Sequence, residues 1–590
     1  MKPTTLDAIQ PWASVSAANW ARAANAVVLS DMSRCEPAGA LSPDLKRGHW
    51  KVIPYEAGGI GGNLIWACAD ADAPEMQLPL GATGWHAIFV GLYEASLAKC
   101  QAWLKLDSDA APVPRETGKA PTYWSMQEIF FKVADIKPGE RLRIRPMAYA
   151  AGPSKGCSLA YVKLIPLSPA EIAGYQADRG DASRRRLIAT CDGSSFLTVR
   201  RPTLEELLAE VELYRDTDFG TLILHTGGSD QVCYPSRHGS LLAAGNESFP
   251  DPGYANAAQA IRELARQGIN PTQTLIRAAH DIGMTVHVGI RPALWTYYEP
   301  FTAYFESPFY RAHPQWRIID RDGTPVARMS WAVPQVRQHL LDVLREAVAF
   351  GADGAHIVFN RGFPVTLFET PFCRLFQEQH GLDPRTLDEA DPRIWKLRAD
   401  IVTTFVRETR TMLDEEQVRR GDGKRLEISL SVLGNEYDNQ QYGLDIRRLA
   451  DERLVDEIYP SIHQWDFGAT KQTWDLEFFI EACAHKSVRV SPMISTSAIL
   501  VPNYYTWEKF LQFGLDFFEQ GADGIMFWDP AVQLAQDPAP PFLWNVISRY
   551  GHIDELRARL KSEPPKPVLL PVRRIGDSRL DARFPIYWGG

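Results

Sequence analysis

The sequence predicts an α/β chain: a (β/α)₈ TIM barrel with an N-terminal β-sandwich domain. Three observations carry this. Between residues 45 and 168, seven short alternating runs are separated by Gly, Pro and Asp turns. From residue 193 onward, short β-branched runs alternate with helical periods until eight strands are placed. Joins from helix to strand are short, whereas the joins from strand to helix at 227–270, 291–333 and 361–393 are long. Long loops on one face of a barrel are where its chemistry is expected.

Residues 1–44 form a polar, irregular extension with one short helical stretch near 17–29. The sandwich strands fall at 50–54, 63–68, 87–93, 101–106, 128–133, 141–146 and 158–164. Such a domain beside a barrel is either a carbohydrate-binding module or a wall that packs on it. Residues 169–192 read as a linker, and the barrel domain spans 193–550. Its strands are predicted at 196–200, 221–226, 285–290, 355–360, 426–433, 456–462, 488–494 and 524–529. Helices are predicted at 203–214, 271–282, 334–350, 394–418, 444–453, 473–485 and 506–519. The helix at 334–350 illustrates the period: Val336, Leu340, Val343, Leu344 and Val348 share one face, and Pro334 sits in the first turn. A Gly-Ala-Asp-Gly join occurs at 351–354 and again at 521–524, with Gly suited to the left-handed turn that ends a helix. Residues 551–590, rich in Pro and Arg, read as a strap over the domains.

The bulk properties narrow the function. A chain of 590 residues exceeds one ordinary core. A net charge of −9 argues against a nucleic-acid partner, which needs a basic face. The eight cysteines are scattered without a C-x-x-C pair and read as free thiols. No apolar run is long enough for a membrane span, and no signal segment stands out, so a cytoplasmic location is expected. A homo-oligomer stays open. The 17 Trp and 20 Tyr are a high aromatic load, divided between core packing and flat platforms for sugar rings.

Several stretches resemble the glycosyl-hydrolase-like family ten proteins, bacterial barrel proteins. They are His313-Pro-Gln-Trp316, Ile319-Asp-Arg-Asp-Gly-Thr324, Trp331-Ala-Val-Pro-Gln-Val-Arg337 and Asp353-Gly-Ala-His-Ile-Val-Phe-Asn-Arg361. Further along come Tyr442-Gly-Leu-Asp445, Val455-Asp-Glu-Ile-Tyr-Pro460 and Gly524-Ile-Met-Phe-Trp-Asp529. The resemblance covers most of 195–530 and implies a TIM-type barrel acting on a glycan. One departure stands out: Val358 occupies a position where the family often has Asp.

Glycoside hydrolysis generally needs two carboxyl groups across the scissile bond. Acids near strand ends or in the long loops are therefore the catalytic candidates: Glu436, Asp529, Asp230 and Glu369, with Glu436 preferred as acid/base and Asp529 as nucleophile or base. The seventh-strand end, with Ser491, Met493 and Ser495, supplies no carboxylate. Candidate substrate contacts are Arg361, Asn360, His356, His225, Asn435 and Trp528, joined by Tyr459 and His463 at strand ends. Arg361 suits a sugar carboxylate or the tuning of a catalytic acid, whereas His356 is read more readily as a hydrogen-bonded core residue. In the long third loop Trp295, Tyr297, Tyr298 and Trp331 are candidate stacking surfaces. No metal motif and no nucleotide-binding glycine pattern is present, so neither a metal nor a cofactor is expected. Besides a glycoside hydrolase, a non-catalytic carbohydrate-binding barrel and a lyase or isomerase acting on a sugar remain as readings.

Overall fold

The computed structural model describes residues 25–68, 71–94, 100–117, 125–146, 156–198, 202–243, 251–297, 299, 301–461, 475–494, 506–531, 541–563 and 568–579. All seven β-runs expected in the N-terminal part are strands. They lie at Trp50–Ala57, Ile60–Cys68, Gly84–Glu94, Gln101–Leu106, Ser125–Ile136 and Arg141–Pro146, and the last divides into Gly156–Leu159 and Tyr161–Pro166. Shorter strands at Val27–Leu29, Leu41–Ser42, Met76–Pro79 and Val113–Glu116 add to them. Together they build three largely antiparallel sheets around a core that includes Trp50, Ile88, Leu104, Phe131 and Ile144. The chain returns to this layer near its end: Val568–Leu570 pairs antiparallel with Ser125–Ile136, and Val572–Ile575 with Trp50–Ala57.

The second part is a parallel sheet of nine strands. In chain order they are β1 (Leu187–Cys191), β2 (Phe219–His225), β3 (Thr285–Ile290), β4 (Gly354–Val358), β5 (Glu427–Leu433), β6 (Glu457–Ser461), β7 (Arg489–Val490), β8 (Met493–Ile494) and β9 (Ile525–Phe527). The expected seventh strand is broken at Ser491-Pro492 into β7 and β8. β7 pairs with β6 while β8 pairs with β9, so two segments adjacent in the chain stand at opposite ends of the strand order.

The first strand corrects the sequence expectation. Leu187–Cys191 pairs with both β2 and β9, whereas Ser195–Thr198, expected to begin a strand, forms a 3₁₀ turn. Leu187-Ile-Ala-Thr-Cys is buried at every position, as an inner strand of a parallel sheet is. The long join at 227–270 also holds a helix, Pro252–Arg266, capped by Asp251.

Side chains alternate between the two faces of the sheet. Residues such as Leu222, Leu224, Val286, Val288, Ile357 and Leu430 join the large core shared with the helices. The other face carries Ile188, Ile223, Val358, Tyr459, Met526 and Trp528 in a cluster of their own. The expected helix at 334–350 is present as Pro334–Val348 and buries Val336, Leu340, Val343, Leu344 and Val348.

The starts of three strands share a device. Asp353 accepts from the Val286 N–H (2.9 Å), Asp456 from Ile428 (2.8 Å) and Asp523 from Val490 (2.8 Å), all through side-chain oxygens. The preceding glycines of the two Gly-Ala-Asp-Gly joins, Gly351 and Gly521, have φ of 113° and 103°, a region that favours glycine.

Next to the start of β2, His552 ties the C-terminal segment to the rest. Its Nδ1 meets Asp218 at 2.6 Å and its Nε2 meets Asp178 at 2.7 Å. Burial works to lower the proton affinity of this ring, and the bonds to Asp178 and Asp218 outweigh it, so the net direction is upward. The sign follows: this contribution to stability is fully present below the unfolded histidine value and is lost as pH rises through the folded one. Stability in urea is therefore expected to fall from pH 6 to pH 9. His552→Gln should remove about 3 kcal/mol at pH 6 and much less at pH 9. Equal losses at both pH values would show that the ring is not charged in the fold.

Candidate active site

The carboxyl ends of β1, β2, β3, β4 and β9 bring two carboxyls, two guanidinium groups and an imidazole into one region. Asp192 directly follows β1, His225 ends β2, and Arg291 directly follows β3. Arg361 ends the 3₁₀ turn Phe359–Arg361 after β4, and Asp529 lies two residues beyond β9. A cavity of about 460 Å³ is lined by Asp192, Arg291 and Arg361 together with Tyr254, Tyr297 and Tyr304.

Arg291 organises the charges. Its guanidinium forms an ion pair with Asp192, and its Nη2 lies 3.4 Å from His225 Nδ1. Burial lowers its proton affinity to about 9, which leaves it a cation at neutral pH. His225 is fully buried; burial first and the charge of Arg361 second push its pKa down to about 3. Its ring is therefore neutral, and it packs at 6.0 Å from His356 and 5.2 Å from Trp528.

Asp529 is the most perturbed acid of the group. Its backbone N–H donates to Thr190 Oγ1 (2.7 Å), and the same hydroxyl donates to its Oδ1 (2.9 Å). Burial raises its pKa from 3.8 to about 6, although Arg291, Thr190 and Arg361 all pull downward. Its φ of 41° lies in the left-handed region, an uncommon and strained backbone for a residue with a side chain. A buried carboxyl in a strained turn, between two cations, is an arrangement found at functional sites far more often than in plain scaffolding.

Of the residues singled out in the sequence, Asp529, Trp528, Arg361 and His225 meet here. His356 and Tyr459 lie deeper on the same sheet face. His356 bonds Ser429 Oγ (2.9 Å) and Ser431 Oγ (3.0 Å), and Tyr459 packs 5.5 Å from the His356 ring. Asn360 is buried in the β4 turn.

The remaining candidates sit elsewhere. Glu436 begins a short helix after β5, Glu436–Gln441; its side chain is 37% exposed and faces Arg447 and Gln440. Asn435 caps that helix through the Asp438 N–H. Asp230 is buried against His339 Nε2 at 3.0 Å. Glu369 is buried as well, and accepts from Ser330, Thr366 and the Leu367 N–H. Trp295 and Trp331 present no ring face to a ligand: Trp295 is enclosed by Phe309, Tyr310 and His339, and Trp331 by Phe359 and Phe405. Tyr298 and His463 lie outside the described residues.

Two central residues were missed. Asp192 was passed over because the first strand was placed nine residues late, which left it in the supposed linker. Arg291 had a usable signal, since it follows the correctly placed β3 run as Arg361 follows β4. Tyr254 and Tyr304 gave no local signal, because the long loops decide their positions.

No protein-family model and no curated protein matches the chain. Among solved structures it is similar to an α-galactosidase from Thermus thermophilus in complex with stachyose, with 12% identity over 86% of this chain and 99% of that one, at a TM-score of 0.32. The catalytic domain of a β-amylase from Paenibacillus polymyxa gives 9% identity over 63% of this chain and 99% of that one, at a TM-score of 0.37. A cycloisomaltooligosaccharide glucanotransferase from Paenibacillus sp., complexed with cycloisomaltoheptaose, gives 12% identity and a TM-score of 0.32 over 76% of this chain; the chain spans only 53% of that protein. Any statement about activity rests on the side chains themselves. Among the described residues no group of three or more His, Cys, Asp or Glu could hold a metal ion, and no helix is long and apolar enough to cross a membrane.

If Arg291 holds the charges as described, Arg291→Met should raise the proton affinity of Asp529 further, by about 1–2 units. Carbon NMR titration of aspartate-labelled protein reads this directly. An unchanged Asp529 titration would separate Arg291 from the site.

Proposed function

We propose that this chain is a glycoside hydrolase whose parallel sheet is a closed (β/α)₈ barrel beside a β-sandwich. In this reading Asp529 is the general acid and Asp192 the partner carboxylate. The observation that carries it is Asp529: a buried carboxyl with its pKa raised to about 6, at the carboxyl end of a parallel sheet, under the charge of Arg291 and Arg361, which line the cavity. A general acid works best when its proton affinity lies near the working pH, and burial is the usual way to achieve that for a carboxyl. The resemblance of the sequence to glycosyl-hydrolase-like family ten points to the same chemistry.

Asp529 donates its proton to the departing glycosidic oxygen as the C–O bond breaks, and the anomeric carbon takes up the oxygen of a water molecule. Asp192, paired with Arg291, supplies the second carboxylate that such a cleavage needs. Val358, standing where the family often has Asp, then leaves no gap, because the carboxylates come from β1 and β9 rather than β4. The tyrosines along the cavity offer flat surfaces and hydroxyl groups to a sugar ring. A lyase or isomerase built on histidine fits less well: His225 and His356 both hold protons weakly because burial disfavours their charged forms. A carbohydrate-binding barrel without turnover is the outcome to separate by experiment.

Asp529→Asn and Asp192→Asn should each lower turnover of a cleaved oligosaccharide by about 10²–10⁴-fold, while Glu436→Gln stays within about twofold. The wild-type rate should decline as pH rises above about 6, as Asp529 loses its proton. In heavy-oxygen water, hydrolysis places one solvent oxygen in the product; ligand binding with no such incorporation would leave a binding protein.

The same burial makes a prediction about stability. A carboxyl whose folded pKa is raised gives a contribution fully present below its unfolded value and lost as pH rises through the folded one. From 3.8 to about 6 this is about 3 kcal/mol. Asp529→Asn, which can keep the Thr190 bond, should therefore be more stable than the wild type at pH 8 and not at pH 4. Calorimetric melting at the two pH values checks this, and equal melting of the two proteins at pH 8 would contradict it.

A further inference from the structure

We infer that the glycan accepted by this cavity carries a carboxylate and that Arg361 holds it. This rests on the hydrolase reading above and adds the substrate class to it. The argument begins with the charges around the cavity. Arg291 is matched by Asp192 in an ion pair. Asp251 caps Pro252–Arg266, where its carboxylate accepts from the Tyr254 N–H at 3.0 Å. Arg361 has no hydrogen bond and no ion pair to any described residue, yet its side chain lies in the cavity wall. Its position is set by Trp528, whose ring centroid is 5.4 Å from the guanidinium carbon.

A cation taken largely out of water without a counter-charge is unfavourable, and folds ordinarily supply a partner. Asp529 attracts it without forming an ion pair, because the Thr190 hydroxyl engages that carboxyl and no oxygen of it comes within ion-pair distance of Arg361. The partner is then expected from the ligand. A guanidinium resting against an indole keeps its N–H groups for in-plane acceptors, and a carboxylate matches that fork with two parallel bonds. The tyrosines give the rest of the ring a surface to lie against. The ligand is thus a uronic or sialic type of sugar, with the acid group on Arg361 and the ring along the aromatic wall.

Titration calorimetry with the full chain tests this. The probes are D-glucuronate, D-galacturonate and N-acetylneuraminate, set against D-glucose and D-galactose, with glucose 6-phosphate as a non-carboxylate anion. At least one carboxylated sugar should bind more than tenfold tighter than its neutral counterpart. Arg361→Gln should erase that preference, while Arg361→Lys, which keeps the charge but loses the fork, should retain part of it. A near-ultraviolet circular dichroism spectrum like that of the wild type keeps a misfolded variant from counting.

No preference for any acidic sugar, or a preference for glucose 6-phosphate above all the carboxylates, would overturn the inference. An unchanged preference in Arg361→Gln would do so as well. Solvent-oxygen incorporation distinguishes the two proposals. Turnover without acid preference removes the carboxylate and leaves the hydrolase; acid preference without incorporation removes the hydrolase and leaves the subsite.

Discussion

The parallel ladder from β1 to β9 is the constraint on which the rest of residues 187–527 depends. Parallel strands exchange evenly spaced hydrogen bonds and point the same way, so every carboxyl end is delivered to one side. The register is fixed where strands begin. Asp353 and Asp456 each take an N–H from the neighbouring strand, Asp523 takes one from Val490 of β7, and their own backbone N–H groups return a bond to the same partners. A slip by one residue would exchange the two faces of a strand and break these reciprocal pairs. With the register held at that end, Asp192, His225, Arg291, Arg361 and Asp529 converge at the other, though they are spread over more than three hundred residues of chain.

Convergence brings charges together under poor solvation, and the site shows how the fold handles this. Two guanidinium groups, two carboxyls and an imidazole share the region. One carboxyl is held by Arg291, the other retains its proton at higher pH than usual, and the imidazole gives its proton up. A second layer lies beneath: His287 and His356 both bond the Ser429 hydroxyl, and His356 also reaches Ser431. Burial holds the proton affinity of His356 well below that of a free imidazole, so this ring satisfies the serines without adding charge under the arginines. A protonated histidine there would face Arg291 and Arg361, so the low proton affinity of His225 and the positive charge above it are two sides of one arrangement.

Much of this was legible in the sequence, and the limits have physical causes. β3 was placed residue for residue, because 285–290 is a short β-branched run between a helix and a long loop. The helix at 334–348 declared itself through one apolar stripe. The run at 196–200 outweighs Leu187–Cys191 in the strand pattern, so β1 falls nine residues late and Asp192 falls outside the expected barrel. Trp295 and Trp331 show another limit. An aromatic residue in a long loop looks available to a ligand, but these loops fold back into packed layers of Phe309, Tyr310, Phe359 and Phe405. Glu436 shows the converse: a carboxyl just past a strand end turns outward when the next residues begin a helix. Its neighbour Asn435 was read as a sugar contact, yet its side chain caps that helix.

Asp529 and Glu436 were equivalent in the sequence, each an acid shortly after a β-run. What separates them is the route the backbone takes next. After Leu433 the chain enters a capped surface helix, and Glu436 points to solvent and to Arg447. After Phe527 it passes through a left-handed residue, and the Asp529 side chain is turned back onto Thr190 of the adjacent strand. That conformation is unfavourable for a side-chain-bearing residue and persists only where its surroundings over-determine it. The reciprocal Thr190 bonds, Trp528 on the inner sheet face and the charges of Arg291 and Arg361 are those surroundings. They come from several different strands, so the acid is placed by the pairing of β9 with β1 rather than by its own loop. The same pairing keeps it out of water and raises its proton affinity, so position and acidity share one cause.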